Sequence, residues 1–398
     1  VRETAPILEN PQPRNLAVDA YRGLVMLLMM AEVLRFSEVA RSFPGSPIWQ
    51  FLAYNQTHVE WSGMSLHDTI QPSFTFLVGV ALPYSLRSRQ RKGQSFRHML
   101  LHTIWRSLVL VALGIFLRSM ASPMANFTFE DTLTQIGLGY TFAFLLFFAR
   151  PRWQWTATGA ILFFYWLAWA LYPAPGPNFP WASVGVNPNW SHIYTGFAAH
   201  WNKNSNLGQA FDVWFLNSLP RPSRFIDNAG GYLTLSFIPT LGTMMLGLAA
   251  GRWSLDSAPK IPIRKFLVAA IAFMAGGLFL HFTGICPIVK RIWTPSWTLW
   301  SGGVCFLCLA AFSWVVDLKQ RRALVFPLVV VGMNSIAAYL ISYICEDFVL
   351  SSFRIHLGMP TLNLFGTAIE PLFLGILTLA TYWLMLFWMY RKKIFLRI

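Results

Sequence analysis

Ten stretches of about twenty apolar residues recur along this chain, and that recurrence limits what it can fold into. Inside a bilayer every backbone N–H and C=O must be satisfied within the chain, which leaves helices or closed barrels. The stretches run over residues 16–36, 69–87, 101–119, 132–149, 154–172, 232–251, 264–283, 297–316, 325–345 and 365–390. Only 12% of the 398 residues are charged, against about 25% for an ordinary soluble chain. The sequence therefore predicts an all-α, polytopic transmembrane helical bundle of about ten spans. It forms a single domain over residues 16–398, behind a polar, proline-bearing tail at 1–15.

The net charge of +15 would suggest nucleic acid in a soluble protein. Here the positions of the basic residues explain it, and no nucleic-acid partner is expected. Arg87, Arg89, Arg91 and Lys92 close the second stretch, and Arg391, Lys392 and Lys393 close the tenth. With the N-terminus inside, most Lys and Arg fall in inner loops, so the positive-inside rule predicts both termini in the cytoplasm. Two long outer segments remain, 37–68 and 173–231. The second carries Trp181, Trp190, Trp201 and Trp214, which can stack on sugar rings or simply sit at the membrane interface. Cys305 and Cys308 form a CxxC, but on an apolar stretch, with no second pair and no histidine at zinc spacing. No metal is expected.

The ionisable residues concentrate in one place. His58, Glu60, His67 and Asp68 precede the second stretch on its outer side, where burying them needs a reason. Imidazole can take a proton near neutral pH or attack an activated acyl group, and a neighbouring carboxylate would orient it. His58 is therefore the candidate reactive group, with Asp68 or Glu60 polarising it. The plainer alternatives are an idle interfacial histidine and, for Asp68, a helix cap. Asp19 and Arg22 stand three apart at the inner end of the first stretch, either as an ion pair or with Arg22 holding a phosphate. Lys290 runs against the positive-inside trend, in an outer segment that also holds Trp293. Asn334 and Ser335 put polar groups into an apolar helix, where packing is the default role.

These residues resemble a known family. HVEWSGMSLHDTIQPSFTFLVG is similar to the segment around the reactive histidine of the heparan-alpha-glucosaminide N-acetyltransferases. VDAYRG, KRIWTPSW followed by WVVDLK, GMNSI and YRKKIFLRI resemble further segments of that family, in the same order. The resemblance implies a transmembrane acetyltransferase moving acetyl from cytosolic acetyl-CoA to the amino group of a glucosamine-type sugar or glycan at the outer face. It makes His58 nucleophile or general base, with Asp68 beside it. It leaves both an acetyl-histidine relay and direct transfer open. Arg22, Asp19, Asn334 and Ser335 are the residues expected toward acetyl-CoA, and Glu60, Trp61, Lys290 and Trp293 those expected toward the acceptor. Two departures stand out: Glu32 and Val33 fall where the family has an asparagine, and Thr134-Gln135 falls where it has Gln-Arg. The expectation is a bacterial-type relative, in the inner membrane, lacking the family's outer N-terminal domain. Its partners would be acetyl-CoA, the acceptor, membrane lipids and, in self-association, a second copy as a homodimer. A membrane transporter of a sugar or related small solute is the alternative from another class.

Overall fold

The computed structural model describes residues 15–396. The expected tail lies outside them except for Asn15, whose side chain accepts the N–H of Val18 and caps the first helix. Fifteen α-helices follow: α1 Leu16–Met30, α2 Phe36–Ser42, α3 Pro47–Gln56, α4 Ile70–Arg91, α5 Phe96–Ser119, α6 Thr132–Phe147, α7 Pro151–Leu171 and α8 Leu207–Leu216. The chain continues with α9 Phe237–Ser257, α10 Ile263–Phe282, α11 Pro295–Ser313, α12 Phe326–Gly332, α13 Ser335–Ile344, α14 Glu346–Leu362 and α15 Glu370–Arg391. Among the described residues there is no strand, only an isolated bridge between Ser62 and Val289.

Every one of the ten apolar stretches is helical, but not every one is a membrane span by length and composition. Five helices qualify: Phe96–Ser119, Thr234–Ser257, Ile263–Phe282, Pro295–Leu318 and Glu370–Arg391. A sixth qualifies if Arg322–Gly332 and Ser335–Ile344 count as one span bent by 61°. The others fall short for local reasons. Stretch 16–36 leaves the α-helix at Met30 for a 3-10 turn at Ala31–Leu34. α4 ends in Arg87, Arg89 and Arg91, α6 has 16 residues, and α7 carries Gln154, Thr156 and several tryptophans.

Two expectations change. The ninth stretch is a broken helix, because Asn334 leaves helical geometry (φ −127°, ψ 41°) and turns its amide to the C-terminal segment. The connection after it is not a loop but α14, kinked at Gly358. The outer segments are also structured, holding α2 and α3 in one and α8 with two 3-10 turns in the other.

α9 is the central helix, its apolar window almost wholly buried, while α5, α10 and α15 turn most of theirs outward. Small residues let the backbones approach. A Cβ on Gly247 of α9 would sit 1.9 Å from the Phe76 carbonyl oxygen of α4, and one on Gly332 of α12 would sit 1.8 Å from that of Asp19 in α1. Those contacts pair α4 with α9 and α12 with α1, and α1 in turn packs on α4, which fixes where the ends of α1 and α4 lie.

Candidate active site

The polar residues ahead of α4 form a connected network. Segment 58–66 is pinned to segment 286–294 by the Ser62–Val289 bridge and by the Gly63 N–H on the Ile288 carbonyl, with Gly63 at φ 114°. Arg291 adds donors to the Val59 carbonyl at 3.1 Å and the Gly230 carbonyl at 2.7 Å. This pairing sets Lys290 next to His58.

Asp68 is the hub, with none of its surface exposed. Its Oδ2 accepts the N–H groups of Val59 and Ser65 and the Ser65 hydroxyl, at 3.0–3.2 Å. Its Oδ1 meets His58 Nδ1 at 2.7 Å and Lys290 Nζ at 3.2 Å. Asp68 is therefore no cap of α4, the plainer reading offered by sequence. Burial alone would raise its pKa, but the His58 contact, Lys290 and the Ser65 N–H outweigh it and hold the carboxyl well below the usual range.

The acceptor-only carboxylate decides the imidazole tautomer. With Nδ1–H donating to Asp68, Nδ1 has no lone pair for Lys290, and Nε2 carries the free one. Lys290 Nζ, 3.0 Å from Nδ1 and 3.5 Å from Nε2, thus acts on the ring through its charge while bonding Asp68. Burial is the main reason the His58 pKa falls below its ordinary value, the Asp68 hydrogen bond opposes that, and Lys290 and Arg291 add to the fall. Lys290, buried to 3% exposure, is itself lowered to about 8 by desolvation, with Asp68 working the other way. His58 keeps 35% of its side chain open. The constellation is an oriented, neutral imidazole beside a buried cation.

The imidazole opens on a cavity of about 280 Å³. Sequence reasoning left several of its lining residues unassigned: Glu32, Arg118, Glu130, Tyr232, Tyr339 and Tyr343. His67, noted among the polar residues but given no role, has its ring centroid 4.6 Å from that of His58. Desolvation, with His58 and Lys290, lowers its pKa to about 4. The other acceptor-side candidates lie elsewhere. Trp61 and Trp293 are fully buried, donating to the Trp201 carbonyl and Thr243 Oγ1, so neither ring is a platform for a sugar. Glu60 points away from Asp68's network and accepts from Trp190 Nε1 at 2.9 Å.

A second cavity of about 590 Å³, on the side where α1 begins and so the inner one in the orientation expected from sequence, is lined by Arg22, Arg89, His102, Arg106 and Ser335. Phe74 of α4 lines both cavities and, among the described residues, is the one that they share. Asp19 pairs with Arg22 at 3.3 Å and does not line the inner cavity. Asn334 does not line it either, its amide holding the Ile394 carbonyl and the Leu396 N–H. No group of histidine, cysteine and carboxylate residues suited to a metal occurs among the described residues.

No protein-family model matches the sequence. The chain is 24% identical over 430 residues to the human heparan-alpha-glucosaminide N-acetyltransferase, covering 97% of this chain and 60% of that protein. It is 23% identical over 422 residues to the mouse protein of the same name, covering 96% of this chain and 60% of that protein. The chain thus spans about three-fifths of the length of the curated relatives it matches.

Proposed function

For a chain related over nearly its whole length to the heparan-alpha-glucosaminide N-acetyltransferases, we propose a transmembrane acetyltransferase with His58 at its centre. The observation that carries this reading is the neutral, Asp68-oriented imidazole facing a cavity that shares Phe74 with a basic inner cavity. Acetyl-CoA fits the inner side by charge: Arg22, Arg89 and Arg106 suit its phosphates, and Ser335 lies among them. The outer cavity takes the acceptor amine.

In direct transfer, the amine attacks the thioester carbonyl, forming the C–N bond and breaking the C–S bond. Nε2 of His58 takes the amine proton and the resulting imidazolium returns one to the leaving thiolate. In the relay, Nε2 itself attacks, giving acetyl-imidazole and the thiol, and the amine then takes the acetyl group. In both, the Lys290 ammonium lies where it can stabilise negative charge on the carbonyl oxygen.

The ten helical stretches are read as ten passes with both termini in the cytoplasm, the His58 cavity opening to the periplasmic or lumenal side. Contacts between loops support the alternation. Arg87 in the last turns of α4 reaches Asp256 at the end of α9, and Arg252 reaches the Phe147 carbonyl at the end of α6. The segments after α3 and α10 meet at the other end. The bacterial inner membrane is the membrane proposed.

The test is purified protein given acetyl-labelled acetyl-CoA, with and without glucosamine, beside His58→Ala. Label should reach glucosamine with the wild type and not with the variant. Label kept on wild-type protein without acceptor selects the relay. A transporter reading keeps one observation in its favour, the broken α12–α13 pair beside two back-to-back cavities. Binding of acetyl-CoA with no free CoA released under any acceptor would move the conclusion there.

A further inference from the structure

The His58 cavity does not end at its own walls. A second outer chamber of about 480 Å³ adjoins it, and Met29, Glu32 and Tyr343 line both. The chamber exists because α1 breaks at Met30. Gln56 of α3 bridges that break, donating to the Ala31 carbonyl at 2.6 Å and accepting the Phe36 N–H at 2.7 Å. Thr57, the neighbour of His58 in the chain, is part of its lining.

The charges along this path do not cancel. Arg35 lies 3.4 Å from Glu38 and 3.7 Å from Glu346 and is spoken for by both. Arg41 donates to the Ser37 carbonyl. In the His58 cavity Arg118 stands 4.0 Å from Glu130, and Lys290 is on Asp68. Glu32 alone, at the junction, has no hydrogen bond or ion pair to its carboxylate among the described residues. A carboxylate left unmatched between two cavities at the mouth of a helix bundle is costly unless something cationic meets it.

We infer that the second chamber holds the sugar next to the one being acetylated, and that Glu32 binds an ammonium group on that sugar. This rests on the acetyltransferase reading and narrows its acceptor to a glycan of at least two units that carries free amines. A neighbour bearing a carboxylate or sulfate would place like charge against Glu32, in a chamber where the carboxylates of Glu32, Glu38 and Glu346 outnumber the cations of Arg35 and Arg41, and be disfavoured.

The experiment compares three acceptors with labelled acetyl-CoA: glucosamine, a β-linked glucosamine dimer, and a glucosaminyl-uronate dimer. Wild type should favour the amine dimer by about tenfold in kcat/KM over the other two, through KM, as one added charge contact allows. Glu32→Gln should bring that ratio near one, and Glu32→Lys should turn the preference toward the uronate dimer. Glu32→Asp should restore part of the original order. A purely structural Glu32 would lower all three rates together and leave the order intact. Thermal stabilisation by acetyl-CoA identifies folded variants, and Glu32→Gln decides if the lysine variant does not fold. Equal use of all three acceptors by wild type, or an order untouched by Glu32→Gln, overturns the inference and leaves the acetyltransferase standing. Transfer to none of the three overturns both.

Discussion

At the scale of residues, the site is defined by what Asp68 does with its two oxygens. One is saturated by Val59 and Ser65, so it cannot rotate, and the other is left to hold His58 and Lys290 together. The pH dependence of transfer follows from that arrangement. His58 works as the neutral ring, and its pKa lies below the ordinary 6.5, so activity rises with pH through a value under 6.5. Lys290 works as the cation, so activity falls as pH passes about 8. A bell-shaped kcat/KM profile is expected. In Lys290→Met the alkaline limb should vanish and the acid limb should move up, because a charge that depressed His58 has gone. His58, Asp68 and Lys290 are legible in sequence because ionisable groups are out of place beside apolar stretches. Trp61 and Trp293 mislead for a related reason: an indole suits a sugar face, but its large apolar area is as well used in a core, and only the fold decides. Glu32 was visible merely as a departure from a familiar pattern.

At the scale of elements, the break between α12 and α13 is the feature that periodicity hid. Only Asn334 and Ser335 interrupt the apolar run, as polar pairs also do in unbroken helices, and nothing local announces a 61° bend. The cause is non-local, since Asn334 accepts the Leu396 N–H and donates to the Ile394 carbonyl some sixty residues on. The bend therefore depends on the C-terminal segment, and Leu396 joins the inner cavity's lining through it. Asn334→Ala removes both bonds to the half-exposed backbone of Ile394 and Leu396, at a cost of about 0.5–1.5 kcal/mol for each. Thermal denaturation should show that loss, and acetyl-CoA affinity should fall with it because the inner cavity loses one edge. Helices α4, α5, α7, α9, α10, α11 and α15 were each placeable from their apolar lengths. α14 was not, because its polar and apolar residues alternate with no run long enough to mark it.

At the scale of the whole molecule, the segment between α7 and α9 packs on the helical bundle, and Asp212 is one of the ties between them. It is 2% exposed, its Oδ2 accepts the N–H of Thr234 in the turn that leads into α9, and its Oδ1 has no hydrogen-bond partner among the described residues. Desolvation, helped by Glu130 and opposed by the Thr234 bonds and Arg221, lifts its pKa to about 7. A carboxyl raised above its unfolded value supports the fold fully below about pH 4, and that support is lost as pH rises through about 7. Between pH 6 and 8 the wild type should lose about 1 kcal/mol of stability by thermal melting, and Asp212→Asn should flatten that slope. Sequence could mark this outer segment as long and aromatic, but not that it is ordered against the bundle. One more consequence belongs to this scale. In the proposed orientation the two cavities reach in from opposite faces, and Phe74 borders both of them. A charge passing from one to the other would move through part of the transmembrane voltage, and 100 mV across the whole membrane is worth about 2.3 kcal/mol per charge. An acetyl group is neutral and crosses without electrical work, whereas a proton does not. Phe74→Ala in proteoliposomes should therefore dissipate an imposed potential by proton leak, while the wild type holds it.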